Sequence, residues 1–252
     1  MKKKKPTVPI SNPPVITNKE ENEIESEVNN KLLFDHINKK LKIKIKFKTP
    51  NQEKFYNLLG EKEITICKGS AGTGKTFLAI TKALYLLVNF PDKYKKIILV
   101  KPLVEAGESV GFLPGNIAEK IDPYMESFID VFEKLIDKRR TSKLLERGYI
   151  ECKVLAYMRG KTFDNAILIF DEIQNTSKMQ LKTALSRIGS NCLYFVLGDE
   201  EQSDKFKNAK DNGMYIAMEK LKDIPEISIF EFTTEDIVRN KIIGKILERL
   251  NS

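Results

Sequence analysis

The sequence predicts an α/β fold, a mostly parallel β-sheet with helices on both faces, and three observations carry that expectation. From residue 50 onward, short apolar runs of strand length alternate with longer segments of helical spacing. Two of the runs, residues 97–100 and 166–170, are apolar throughout, as strands covered on both faces must be. With 252 residues, 41% hydrophobic and 31% charged, the chain can bury one such domain with some length left over, but not two.

Taken in order, residues 1–30 are rich in Lys, Pro, Glu and Asn and poor in large apolar groups. They bury too little to offset ordering, so a disordered tail is expected there. Residues 31–252 then form a single domain with a short strand or helix extension at its start. Residues 41–48 read LKIKIKFK, with Ile43, Ile45 and Phe47 alternating with lysines. Period two predicts a strand with one apolar and one lysine face. It fits an edge strand kept soluble by its lysines, or a ribbon contacting phosphates. Strands are expected at residues 63–68, 97–100, 150–156, 166–170, 192–197 and 227–232. Helices are expected at 75–88, 118–136, 178–188 and 214–221, with one more at the C-terminus. No internal repeat is visible.

The loop between the first core strand and the first core helix carries chemistry. Gly69, Ser70, Ala71, Gly72, Thr73, Gly74, Lys75 and Thr76 spell GSAGTGKT, a complete phosphate-binding P-loop between a strand and a helix. Glycines let the backbone curl its N–H groups inward, and the helix N-terminus adds its positive dipole end. Lys75 is expected on the β- and γ-phosphates and the Thr76 hydroxyl on Mg²⁺. The run AILIFDE, residues 166–172, ends an apolar strand in two carboxylates. Asp171 is expected in the Mg²⁺ shell, with Glu172 placed to orient or deprotonate an attacking water. A second carboxylate at this place favours hydrolysis over transfer to another acceptor. A third strand runs into Gly198, Asp199 and Gln202, and Gln202 is the candidate sensor of the γ-phosphate. The expected ligands are therefore ATP and Mg²⁺ in a P-loop nucleoside triphosphatase. A P-loop phosphotransferase acting on a small molecule is the alternative.

The runs GSAGTGKTFLAI, VKPLVEAGESVGFLPGNIAEKIDPY, LAYMRGKTFDNAILIFDEIQNT, LSRIG and GDEEQSD resemble the PhoH family of P-loop ATPases over about residues 49–246. EAGESVGFLPG and AYMRGKTF are the distinctive segments. One departure is Lys101 before Pro102, where the family often has Arg. The resemblance implies a RecA-like domain similar to the first motor domain of superfamily-1 helicases, with ATP hydrolysis linked to RNA or single-stranded nucleic acid. By the same likeness Gln52 would read the adenine edge. The residues alone also allow a helix cap at Thr49 or Asn51. A helicase-like site is completed by a second domain, so a homo-oligomer is expected, a ring such as a hexamer on the resemblance. An arginine finger would then come from Arg239 or, second, Arg159.

The net charge of +8 favours a polyanionic partner without naming one. Cys67, Cys152 and Cys192 are far apart and sit in or beside apolar runs, so they are expected as small core residues in a reducing compartment. Met1 and four lysines open the chain, but prolines follow instead of an apolar run. No stretch approaches the ~20 apolar residues that span a bilayer. A soluble, cytoplasmic protein without a membrane partner is expected.

Overall fold

The computed structural model of the chain describes residues 18–102, 117–200, 203, 206, 208–238 and 249. Six strands form one sheet: β1 (Ile64–Lys68), β2 (Lys96–Lys101), β3 (Ile150–Val154), β4 (Ala166–Phe170), β5 (Leu193–Gly198) and β6 (Ile227–Glu231). Their order is β3-β2-β4-β5-β1-β6, and every neighbouring pair is parallel. All six C-terminal ends therefore lie along one edge. The expected RecA-like α/β fold is the observed one.

Alternation along the strands builds two cores. Ile97, Leu99, Ile167, Ile169, Phe195 and Leu197 face one side, and Ile98, Val100, Leu168, Phe170, Tyr194 and Val196 face the other. The first side is covered by α1 (Asn18–Lys44), α2 (Pro50–Leu58), α3 (Lys75–Asn89), α4 (Ile117–Ile136) and α5 (Lys138–Glu146). The second is covered by α6 (Lys178–Leu185) and α7 (Gly213–Lys220), with a 3₁₀ turn at Leu155–Met158. Covering both faces is what lets the strands be apolar throughout.

The N-terminal expectations need correction. Helix α1 begins at Asn18, inside the segment expected to be disordered, and residues 1–17 lie outside the described residues. Lys and Glu are good helix formers, so a low apolar content there does not forbid a helix. Residues 41–48 form no strand. Leu33, Phe34, Ile37 and Leu41 make a buried stripe at helical spacing, and α1 continues through it to Lys44. The Ile45 N–H then closes on the Leu41 carbonyl at 3.0 Å. Ile45 and Phe47 pack on the first core from the segment that follows, Phe47 against the Tyr56 ring. The period-two pattern was thus a helix end plus an irregular segment, with burial of the stripe overriding β-propensity. Helix α5 was not expected, and the expected C-terminal helix lies almost wholly outside the described residues.

Candidate functional site

The sheet order brings the motifs together. β1 delivers the P-loop and β4 delivers the two carboxylates, with the end of β5 between them. A cavity of about 260 Å³ opens there, lined by Ala71, Gly72, Gly74, Lys75, Thr76, Phe77, Asp171, Glu172, Gly198 and Asp199. Gly72 and Gly74 both have φ of 92°, the left-handed conformation that lets the loop curl before α3 begins. Gly69 donates its N–H to the Gly198 carbonyl at 3.2 Å, and a Cβ there would lie 2.7 Å from the Phe232 Cβ. Only glycine allows that approach.

The Lys75 side chain is buried in the loop, its ammonium donating to the carbonyls of Gly69 and Ser70, the latter at 3.0 Å. Thr73 turns its hydroxyl to the Ser70 carbonyl at 2.9 Å. The Thr76 hydroxyl donates to Asp171 Oδ2 at 2.9 Å, so two hard oxygen donors sit side by side at the cavity wall. Mg²⁺ usually takes one or two protein oxygens and fills its octahedron with phosphate and water. Thr76 and Asp171 fit that donor set.

Glu172 has φ of 58°, unusual for a non-glycine residue, and this kink carries its carboxylate to the exposed cavity rim. Surrounding protein still pushes its pKa up from the ordinary value. Desolvation is the main cause and the neighbouring Asp171 charge the second, while Gln174, Lys101 and Lys75 pull it down. The motif pattern does not flag Gln174, yet it holds this arrangement. Its Nε2 donates to Glu172 Oε2 at 2.5 Å, and its Oε1 accepts from the Asp199 N–H at 3.0 Å. One buried amide therefore ties the end of β4 to the end of β5. Only its place two residues beyond Glu172 hinted at it. Lys101 ends β2 nearby, its ammonium on Ser127 Oγ at 2.7 Å and over the Phe128 ring.

Gln52 lies behind the P-loop and does not line the cavity. It is buried, with Oε1 accepting from the Lys48 N–H at 2.8 Å and Nε2 donating to the Thr73 carbonyl at 2.9 Å. Both ends of its amide are thus engaged within the chain. The capping reading also holds, since Thr49 Oγ1 accepts from the Gln52 N–H at 3.2 Å. Arg159 is exposed after the 3₁₀ turn that follows β3. Gln202 and Arg239 lie outside the described residues, as does the EAGESVGFLPG segment. Cys67 and Cys192 are buried in the two cores, and burial pushes both thiol pKa values up, that of Cys67 well above its ordinary value.

The sequence profile described as PhoH-like protein matches residues 44–251. The chain belongs to the PhoH family. It is 43% identical over 204 residues to a PhoH-like protein of Bacillus subtilis (strain 168), covering 81% of this chain and 63% of that one. It is 34% identical over 195 residues to Protein PhoH of Escherichia coli (strain K12), covering 77% and 54%. The chain thus spans somewhat over half the length of these PhoH relatives. Among solved structures, the Hef helicase domain of Pyrococcus furiosus aligns with TM-score 0.43 and 16% identity, over 74% of this chain and 38% of that one. The Pif1 helicase of Candida albicans aligns with TM-score 0.41 and 17% identity, over 82% and 44%. No helix among the described residues is long and apolar enough to cross a membrane.

Proposed function

We propose that this PhoH-family chain binds ATP with Mg²⁺ and hydrolyses it, and that turnover is coupled to a single strand of nucleic acid, RNA foremost. The observation that carries the reading is the convergence of Lys75, the Thr76–Asp171 pair and the tethered Glu172 on one cavity. The loop from Ala71 to Gly74 supplies backbone N–H groups for the phosphates, and the Lys75 ammonium exchanges its carbonyl partners for phosphate oxygens. Mg²⁺ held by Thr76 and Asp171 would neutralise phosphate charge. Glu172 orients a water and takes its proton as the water oxygen bonds to the γ-phosphorus. The bond to the β,γ-bridging oxygen breaks, leaving ADP and phosphate. Gln202 remains the candidate sensor of the γ-phosphate. Cytoplasmic residence remains the expectation.

The nucleic-acid half rests on a different surface. Tyr157 is 51% exposed on the turn after β3, beside exposed Arg159 and Lys161. That turn packs on α6, which shows Met179 at 79% exposure between exposed Lys178 and Lys182. An exposed ring among cations suits base stacking and phosphate contact.

Two variants separate the roles. Lys75→Ala should lose tight ATP binding. Glu172→Gln should keep it and lose about 10²–10⁴ of turnover. Wild-type turnover in Glu172→Gln would remove that residue from the mechanism. Phosphate release with and without single-stranded RNA, single-stranded DNA and duplex reads the coupling, and equal rates in all four would end that half of the proposal.

A further inference from the structure

The segment after β6 docks on the back of the P-loop through a buried carboxylate. Asp236 is buried, and four donors converge on it. Thr49 Oγ1 donates to Oδ1 at 2.8 Å. Asn51 Nδ2 reaches Oδ2 at 2.9 Å, and the Thr233 N–H and hydroxyl reach the same oxygen at 3.0 and 3.1 Å. Two residues further on, the Val238 N–H donates to the Gly72 carbonyl at 3.1 Å. On the other side of Thr49, Gln52 donates to the Thr73 carbonyl. Asp236 thus stands where two routes to the P-loop meet, one through Thr49 and Gln52, the other through Val238.

The two carbonyls these routes hold are consecutive. In a trans peptide unit the C=O and the following N–H point in opposite directions. Holding the Gly72 carbonyl on the Val238 side turns the Thr73 N–H the other way. Holding the Thr73 carbonyl on the Gln52 side does the same for the Gly74 N–H. Gly72 and Gly74 line the cavity and neither Gln52 nor Val238 does, so the other way is toward the phosphate seat. The Thr73 N–H meanwhile reaches only a long 3.4 Å contact with the Ser70 carbonyl, which an anion can displace. Without the clasp, glycines on both sides of Thr73 would leave these two peptide units free to rotate.

We propose that Asp236 is a positioning residue for phosphate binding: through Val238 and through Thr49 and Gln52 it fixes the Gly72 and Thr73 carbonyls outward, so that the Thr73 and Gly74 amides face the phosphates before nucleotide arrives. The proposal rests on the ATP-binding reading for its functional consequence, and on the loop's own geometry for its structural one. Preorganised amides lower the ordering cost of binding, so the effect falls on affinity more than on the chemical step.

The full-length chain tests this with Asp236→Asn, Val238→Pro and the double variant. Asp236→Asn keeps the shape but leaves donors without an acceptor, and Val238→Pro deletes the single N–H on Gly72. Ile37→Ala, in the core and touching none of these groups, calibrates what lost stability does alone. Each clasp variant should raise the ATP dissociation constant about tenfold, the scale of one unmet buried hydrogen bond. Turnover at saturating ATP should stay within about threefold, and the double variant should lose less than the product of the singles, since both act on the Gly72 carbonyl. Amide exchange over residues 69–76 in the nucleotide-free chain reads the clasp without ATP, and should quicken in both clasp variants and not in Ile37→Ala. ATP affinity that follows thermal stability alike in all three variants, with unchanged exchange over 69–76, would overturn the proposal. If Asp236→Asn does not fold, unchanged exchange and affinity in Val238→Pro overturn it alone. A wild-type chain that binds no ATP sinks the proposed function instead, while exchange still decides the clasp.

Discussion

At the scale of single residues, the proposed hydrolysis turns on how one carboxylate is kept ready to accept a proton. Glu172 sits beside Asp171, and a like charge next to a partly desolvated carboxyl disfavours its anion. Gln174, Lys101 and Lys75 work the other way, and the balance leaves the pKa above the ordinary glutamate value of 4.5. A general base must be deprotonated, so activity is lost as pH falls through that raised value. The acid limb of kcat/KM against pH should therefore have its midpoint above 4.5. Gln174→Leu removes a hydrogen bond that favours the anion, so its limb should move to higher pH still. Lys101→Met should shift it the same way, with a smaller effect because the charge acts at a distance. The kcat/KM for ATP measured across pH, which reports the nucleotide-free chain, checks this. A limb unmoved in both variants would mean that another group sets it.

At the scale of elements, the segments that carry the site were legible because their patterns are local. GSAGTGKT needs only a strand before it and a helix after it, and AILIF, short, apolar throughout and followed by two carboxylates, reads as a strand buried on both faces. The docking of α1 was hidden for the opposite reason. Its buried stripe of Leu33, Phe34, Ile37 and Leu41 is short, and a lysine-alternating run overlaps its end. Nothing nearby in the sequence says that α1 packs on α3 and α4. Gln52 stands out in the sequence, but its partners are the Lys48 and Thr73 backbones, which no spacing rule reveals. Asp236 is hidden in the same way, since its partners Thr49 and Asn51 lie nearly two hundred residues away in the chain. If α1 is part of the first core, truncating its fully buried Ile37 should cost about 2–5 kcal/mol, as large-to-small core changes do. Urea unfolding of Ile37→Ala should show a lower midpoint with an unchanged slope. A midpoint equal to wild type would mean that α1 is not docked in solution.

At the scale of the whole molecule, the cavity leaves one demand of the proposed hydrolysis unmet. Among the described residues that line it, Lys75 is the one cation, and Glu172 marks a rim open to solvent. Charge developing on the γ-phosphate in the transition state is stabilised far better by a fixed guanidinium than by mobile water, and an added arginine is worth about 10³–10⁵ in rate. Arg159 is exposed after β3 and Arg239 follows the clasped segment, so either could serve a neighbouring copy of the chain. A contact in which one copy presents its cavity and the next its arginine is head-to-tail, and such contacts repeat until they close into a ring. Activity per subunit should then rise with protein concentration. Arg239→Ala subunits keep the phosphate cradle, and Lys75→Ala subunits keep the arginine. Mixing the two should restore turnover that neither has alone, because one kind of interface then joins an intact cradle to an intact arginine. Complementation by Arg159→Ala in place of Arg239→Ala would keep the shared site and change the residue. Constant turnover per subunit, measured down to concentrations where only monomers sediment, would end the shared-site proposal, because a monomer would then hold everything that turnover needs.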